Sequence, residues 1–210
     1  MPIDTNMALK YFKSSDEVMA RLLAAALQGA APLEIPTQKK PSEYFGSIVS
    51  SIISQQISTK AAAAVRSRVV AHVGKLTPAH IMAADFDELK ACGLSLQKTK
   101  YIKHNAEVWE RGEIPFRNFA AMDNEAIITE LTKLYGIGRW TAEMFLMFSL
   151  ARPDMFSYGD LGLMQSLYRN YNYKPHYVRK IKTTVEGWAP HRTVASLTLW
   201  HQIDNGPVLL

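Results

Sequence analysis

Apolar residues recur at helical spacing along nearly the whole chain. Val18, Met19, Leu22, Leu23 and Leu27 share one face of a helix over 16–28. Pro32, Pro36 and Pro41 then break the pattern, so 32–41 reads as a linker. From 43 onward Tyr44, Phe45, Ile48, Val49, Ile52, Ile53 and Ile57 return in pairs four apart, the apolar stripe of a long helix. An alanine-rich helix follows over 59–73. Thr77-Pro78 reads as a helix start, a hydroxyl cap followed by proline in the first turn, and Gly93 as its end. Ser95 caps a helix running to Glu110, and Gly112 and Pro115 mark the next break. Helices over 123–134 and 139–150 flank Gly136-Ile137-Gly138. After a loop over Pro153–Gly159, helices over 161–171, 175–187 and 191–203 complete the chain. No stretch alternates as a strand would, so the predicted class is all-α.

Composition narrows the picture. The 210 residues allow one large domain or two small ones, and 48% apolar with 20% charged residues argues against disorder. The single cysteine, Cys92, excludes a disulfide framework, a cysteine zinc site and a cysteine-held cluster, and fits a reducing compartment. His72, His80, His104, His176, His191 and His201 form no pair at metal-ligand spacing. A net charge of +5 is a mild excess compatible with a polyanionic partner. Met1 to Asn6 lack a basic segment leading into an apolar one, and the apolar run Thr141–Ala151 contains Glu143 and is too short for a bilayer. The expectation is a soluble intracellular protein, with no membrane partner.

The segment Leu131-Thr132-Lys133-Leu134-Tyr135-Gly136-Ile137-Gly138-Arg139-Trp140-Thr141-Ala142 carries the most information. Glycines on both sides of an aliphatic residue leave backbone N–H groups uncovered at the start of the next helix. Its positive dipole end attracts an anion such as a backbone phosphate. A plain helical hairpin with a glycine C-cap fits the same residues. Ile137 would plug the turn into the core. Asp160, after the irregular loop, fits either a plain N-cap of the helix over 161–171 or a reactive carboxylate.

That segment resembles the helix-hairpin-helix of the DNA glycosylase superfamily that also carries a Gly/Pro-rich loop and a catalytic aspartate. Asp160 matches the aspartate's place about twenty residues beyond the hairpin. Ile52-Ile53-Ser54-Gln55-Gln56-Ile57-Ser58 resembles the family's Q-Q-(I/L)-S helix end. Trp188-Ala189-Pro190-His191-Arg192, closing in Leu199-Trp200, resembles the alkylated-base branch, DNA-3-methyladenine glycosylase II. The likeness covers about residues 43–203. Gly159 departs from the acidic residue often found before the aspartate, and an extra N-terminal sheet domain of some relatives has no counterpart here.

The resemblance implies two helical subdomains, 43–152 and 1–42 plus 153–210, with a DNA cleft between them. It implies a monomeric, monofunctional glycosylase that flips alkylated purines out of duplex DNA. Asp160 would stabilise an oxocarbenium-like sugar, and an abasic site would remain. Strand-cutting relatives have lysine two residues after the second glycine, where Trp140 stands here. Trp140 and Trp200 match aromatic positions lining the base pocket, with Tyr44 and Tyr158 as further candidates; core packing is the competing use of all four. Gly136, Gly138, Arg139 and Thr141 belong to the DNA-contacting hairpin. Gln56 stands where relatives insert a wedge, or is a plain helix-ending amide. Lys98, after a second hairpin-like Gly93-Leu94-Ser95, reads as a phosphate contact or a solvated charge. No cofactor is required. The resemblance places an Na+ or K+ on the carbonyls of Thr132, Leu134 and Ile137. A non-enzymatic hairpin protein that binds DNA or lesions, and a glycosylase for another damaged base, stay open. The compartment would be the cytoplasm and nucleoid of a prokaryote or the nucleus of a eukaryote.

Overall fold

A computed structural model of the chain describes residues 3–205, and every regular element among them is a helix. The chain divides into two compact units, Gln38–Phe145 and Met1–Thr37 with Leu146–Leu210.

The first unit is built on α3 (Pro41–Ser54), α4 (Thr59–Val73), α5 (Pro78–Ala83), α6 (Phe86–Ala91), α7 (Leu96–Glu110) and α8 (Asn124–Leu131), and it holds the start of α9 (Arg139–Phe148). The stripe predicted from 43 onward is buried: Tyr44, Phe45, Ile48, Val49, Ile52 and Ile53 are each at most 2% exposed. Helix α7 packs against α3, α5 and α6. The predicted helix from Thr77 to Gly93 is two short ones. The break falls at Ala84, because the Asp85 carboxylate accepts the amides of Asp87 (2.8 Å) and Glu88 (3.1 Å) and so begins a new helix. A cavity of about 740 Å³ lies between the start of α3, the end of α7 and the turn Phe116–Asn118, and none of the candidate site residues lines it.

The second unit joins both ends of the chain. Its helices are α1 (Thr5–Ser15), α2 (Glu17–Gln28), α10 (Leu161–Tyr171), α11 (Val178–Glu186) and α12 (Arg192–Asn205), and α9 ends in it. Sequence periodicity misses α1, since Ala8 and Phe12 are its buried residues and two positions make too thin a stripe. Asp4 caps it, with Oδ1 accepting the amides of Asn6 and Met7. Phe12, Met19, Leu23, Leu163, Leu167, Val185, Trp188 and Leu199 are fully buried and form one core. Asp16 caps α2 and ties that core together. Its Oδ2 accepts both the Trp188 indole N–H and the Tyr171 hydroxyl at 2.8 Å. No helix among the described residues is long and apolar enough to cross a membrane.

Candidate active site

Helix α8 ends at Leu131, Gly136 turns the chain with φ 77°, and α9 starts at Arg139. The Gly138 carbonyl accepts the Ala142 amide at 3.0 Å, so the hydrogen bonding of α9 begins at Gly138, and the positive end of its dipole lies at the hairpin. Ile137 is 4% exposed and anchors the turn, and its amide closes onto the Leu134 carbonyl at 3.2 Å.

Three residues outside the hairpin hold it. Asn105 on α7, 1% exposed, donates from Nδ2 to the Tyr135 carbonyl and accepts the Tyr135 amide, both at 2.9 Å. Gln55 donates to the Gly136 carbonyl at 2.7 Å. The Tyr101 ring packs so closely on Gly136 that a Cβ there would sit 2.4 Å from it, so both φ and space demand glycine. Sequence reasoning passed over Asn105 and Tyr101 and gave Gln55 no contact with the hairpin, because an amide or phenol pointing across to another helix leaves no periodic mark.

Several predicted contacts have other partners. The Lys98 ammonium donates to the carbonyls of Ile53 (2.8 Å) and Gln55 (2.6 Å), capping α3, and burial pushes its pKa down. The phosphate contact expected of Lys98 is thereby corrected: its N–H donors serve carbonyls left open by the helix end. The guanidinium of Arg139 is held in a fork by Glu125 and reaches Glu143 at 3.0 Å, and the Glu125 hydrogen bonds raise its pKa. Thr141 is 6% exposed, so its side chain is buried. Tyr44 is 2% exposed between Phe119 and Phe145 and is a core residue, which corrects its reading as a pocket aromatic. Gln56, in contrast, is exposed, with φ 59°, beyond the end of α3.

In the other unit Asp160 is the N-cap of α10 and is 8% exposed. Its Oδ1 accepts the Leu163 amide at 2.8 Å and the Trp200 indole N–H at 3.1 Å. Two N–H donors and the positive end of a helix dipole thus stabilise negative charge at one carboxylate. Phe148 stacks on Trp200 with ring centroids 5.8 Å apart. A Cβ on Gly162 would come within 3.2 Å of Asp160 Oδ1 and 3.4 Å of the Trp200 indole, so glycine leaves room for that pair. Around the carboxylate the chain exposes apolar side chains: Tyr158 is 47% and Leu161 78% exposed.

The loop leading to Asp160 is pinned to the start of α12. Arg192 grips Asp154 through Nε–Oδ1 (2.7 Å) and Nη2–Oδ2 (2.6 Å). The Thr193 hydroxyl donates to the Arg152 carbonyl and accepts the Met155 amide, and Ser196 donates to the Met155 carbonyl. The R of the closing sequence pattern therefore serves to fasten this loop. Trp140, on the first turn of α9, is 47% exposed, enough to offer an indole face. Thr132, Leu134 and Ile137 provide uncharged carbonyl oxygens around the hairpin turn, a donor type that suits an alkali cation, although the Leu134 oxygen already accepts within the turn.

Residues 49–191 match the family model of the HhH-GPD superfamily base excision DNA repair proteins. A DNA-3-methyladenine glycosylase of Schizosaccharomyces pombe is 38% identical over 168 residues, covering 75% of this chain and 72% of that protein. The fold is similar to a Bacillus halodurans DNA-3-methyladenine glycosidase, with TM-score 0.80 and 34% identity over 94% of this chain and 89% of the other. It is similar to an S. pombe 3-methyladenine DNA glycosylase solved with abasic DNA, with TM-score 0.77 and 31% identity over 94% and 97% of the two chains. The chain belongs to the HhH-GPD superfamily of base excision DNA repair proteins, in its DNA-3-methyladenine glycosylase branch.

Proposed function

We propose that this chain is a monofunctional DNA glycosylase that releases alkylated purines from duplex DNA, with Asp160 as its catalytic carboxylate. The observation that carries the reading is a nearly buried carboxylate, capped onto α10 and held by the Trp200 indole, on a loop fastened to α12.

The chemistry follows from charge. A purine alkylated at N3 or N7 is cationic, so when the glycosidic C–N bond breaks the electron pair neutralises the departing base. Positive charge moves to C1′ and the ring oxygen of the sugar, where a fixed carboxylate stabilises it. Water then adds at C1′ and loses a proton, leaving an abasic site. One carboxylate suffices where a neutral leaving group would need a second acid.

The base must leave the stack first. Exposed Trp140 offers a cationic base a π face worth about 0.5–2 kcal/mol. Gln56, exposed beyond the end of α3, is the wedge candidate. The positive N-terminal end of α9, at the hairpin, takes a phosphate. Where strand-cutting relatives carry lysine, Trp140 has no amine, which supports base release without a Schiff base. The hairpin carbonyls of Thr132, Leu134 and Ile137 would hold an alkali cation, which would strengthen phosphate binding there.

The test is release of methylpurine from methylated duplex DNA by the wild type and Asp160→Asn in parallel. Free methylpurine from the wild type alone is the expected result. Equal release by both moves the chemistry to another residue, and DNA binding without release by either points to a hairpin protein that only binds. Borohydride treatment should trap no covalent adduct.

A further inference from the structure

Between 161 and 185 the chain has five Lys and Arg residues and no Asp or Glu, while the other nineteen basic residues equal all nineteen acidic ones. The segment thus carries five cations with no acid between them. That segment is α10, the connection after it, and α11 short of its last residue, Glu186, and Arg169, Lys174, Arg179, Lys180 and Lys182 are all exposed on it. Helix α11 turns Ile181 and Val185 inward and its cations outward. Lys182 is 3.7 Å from Glu186, a pair exposed enough to contribute little, and Lys180 lies 5.7 Å from the ring centroids of both Tyr173 and Tyr177.

From this concentration of charge we infer that the α10–α11 surface is a binding face for the phosphate backbone of duplex DNA, additional to the hairpin; this rests on the proposed activity on duplex DNA. Several exposed cations along one stretch of chain suit a polymer of regularly spaced phosphates. A lipid surface would need an exposed apolar face, and α11 shows only Val178 outside while its other aliphatic residues are buried. This face would read no sequence, since cations on a phosphate backbone position the protein without reading bases. Its role is to hold the enzyme on undamaged DNA while it searches.

The test compares the full-length wild type with the triple variant Lys174→Ala, Arg179→Ala, Lys180→Ala on an undamaged duplex across a range of salt concentrations. The slope of log Kobs against log salt should fall in magnitude by about 0.9 for each phosphate that the variant no longer neutralises. Methylpurine release from saturating duplex should be unchanged. A charge-conserving variant, Lys174→Arg with Arg179→Lys and Lys180→Arg, should keep the wild-type slope. An unchanged slope in the alanine variant overturns the inference, as does an equally reduced slope in the charge-conserving one. So does a reduction seen with single-stranded RNA but not with duplex DNA. If the wild type releases no methylpurine and yet the slope falls, the surface stands and the proposed activity fails.

Discussion

The indole N–H of Trp200 donates to Oδ1 of Asp160 at 3.1 Å, across forty residues of sequence. Trp200 therefore acts on the carboxylate through its N–H, in addition to whatever its ring contributes. Trp200→Phe keeps an aromatic ring and removes only the donor. Losing one hydrogen bond to a charged group costs about 1.5–3 kcal/mol, so single-turnover release of methylpurine should slow about 10- to 100-fold. DNA affinity should hardly change. A variant that loses affinity but keeps its rate would assign Trp200 to base stacking alone.

Asn105 replaces a backbone partner for Tyr135, with the Nδ2 and Oδ1 of its side-chain amide both committed to the hairpin. Asn105→Leu keeps the volume and strands two backbone groups, at a cost of about 1–3 kcal/mol each. At about 2–4 °C per kcal/mol for a chain of this size, thermal unfolding should show a lowered Tm. Binding to undamaged duplex should weaken as well, because Asn105 holds the turn that leads into α9. Weakened stability with unaltered binding would mean that the turn keeps its shape without this clamp.

Glu125 neutralises Arg139 next to the hairpin. Glu125→Gln should free the guanidinium for a phosphate, steepening the salt dependence of DNA binding by about one phosphate, a slope change near 0.9. A shallower slope would instead show that Arg139 needs Glu125 to hold its direction.

Burial alone would raise the pKa of Asp154, but hydrogen bonds and charge from Arg192 outweigh it and hold the carboxyl below the usual range. A depressed carboxylate stabilises the fold above its unfolded pKa, about 3.9, and that contribution is lost as pH falls through the folded value. Asp154→Asn should therefore be less stable than the wild type at neutral pH, and the difference should shrink below about pH 4. Denaturant unfolding at neutral and acid pH checks this, and a constant difference would mean that the pair contributes through packing alone.

The class of fold and most helices were legible in the sequence because a helix that buries one face must repeat its apolar residues every three to four positions. Tyr44 to Ile53 and the turn at Gly136 follow local rules of periodicity and backbone freedom, and both are where the pattern puts them. The candidate carboxylate was found by its place in a family pattern, and its capping role by its position before α10. The surroundings were decided only by the tertiary structure. Lys98 turns from phosphate to the carbonyls of Ile53 and Gln55, Tyr44 joins the core, and Asn105 reaches the hairpin from another helix. Each of these depends on which helix end lies beside which side chain. A hydrogen bond satisfies a neighbour in space, and separation along the chain carries no signal of it. The same holds for charge: the sequence shows five cations without an acid, but only folding puts Ile181 and Val185 inward and leaves the cations facing solvent.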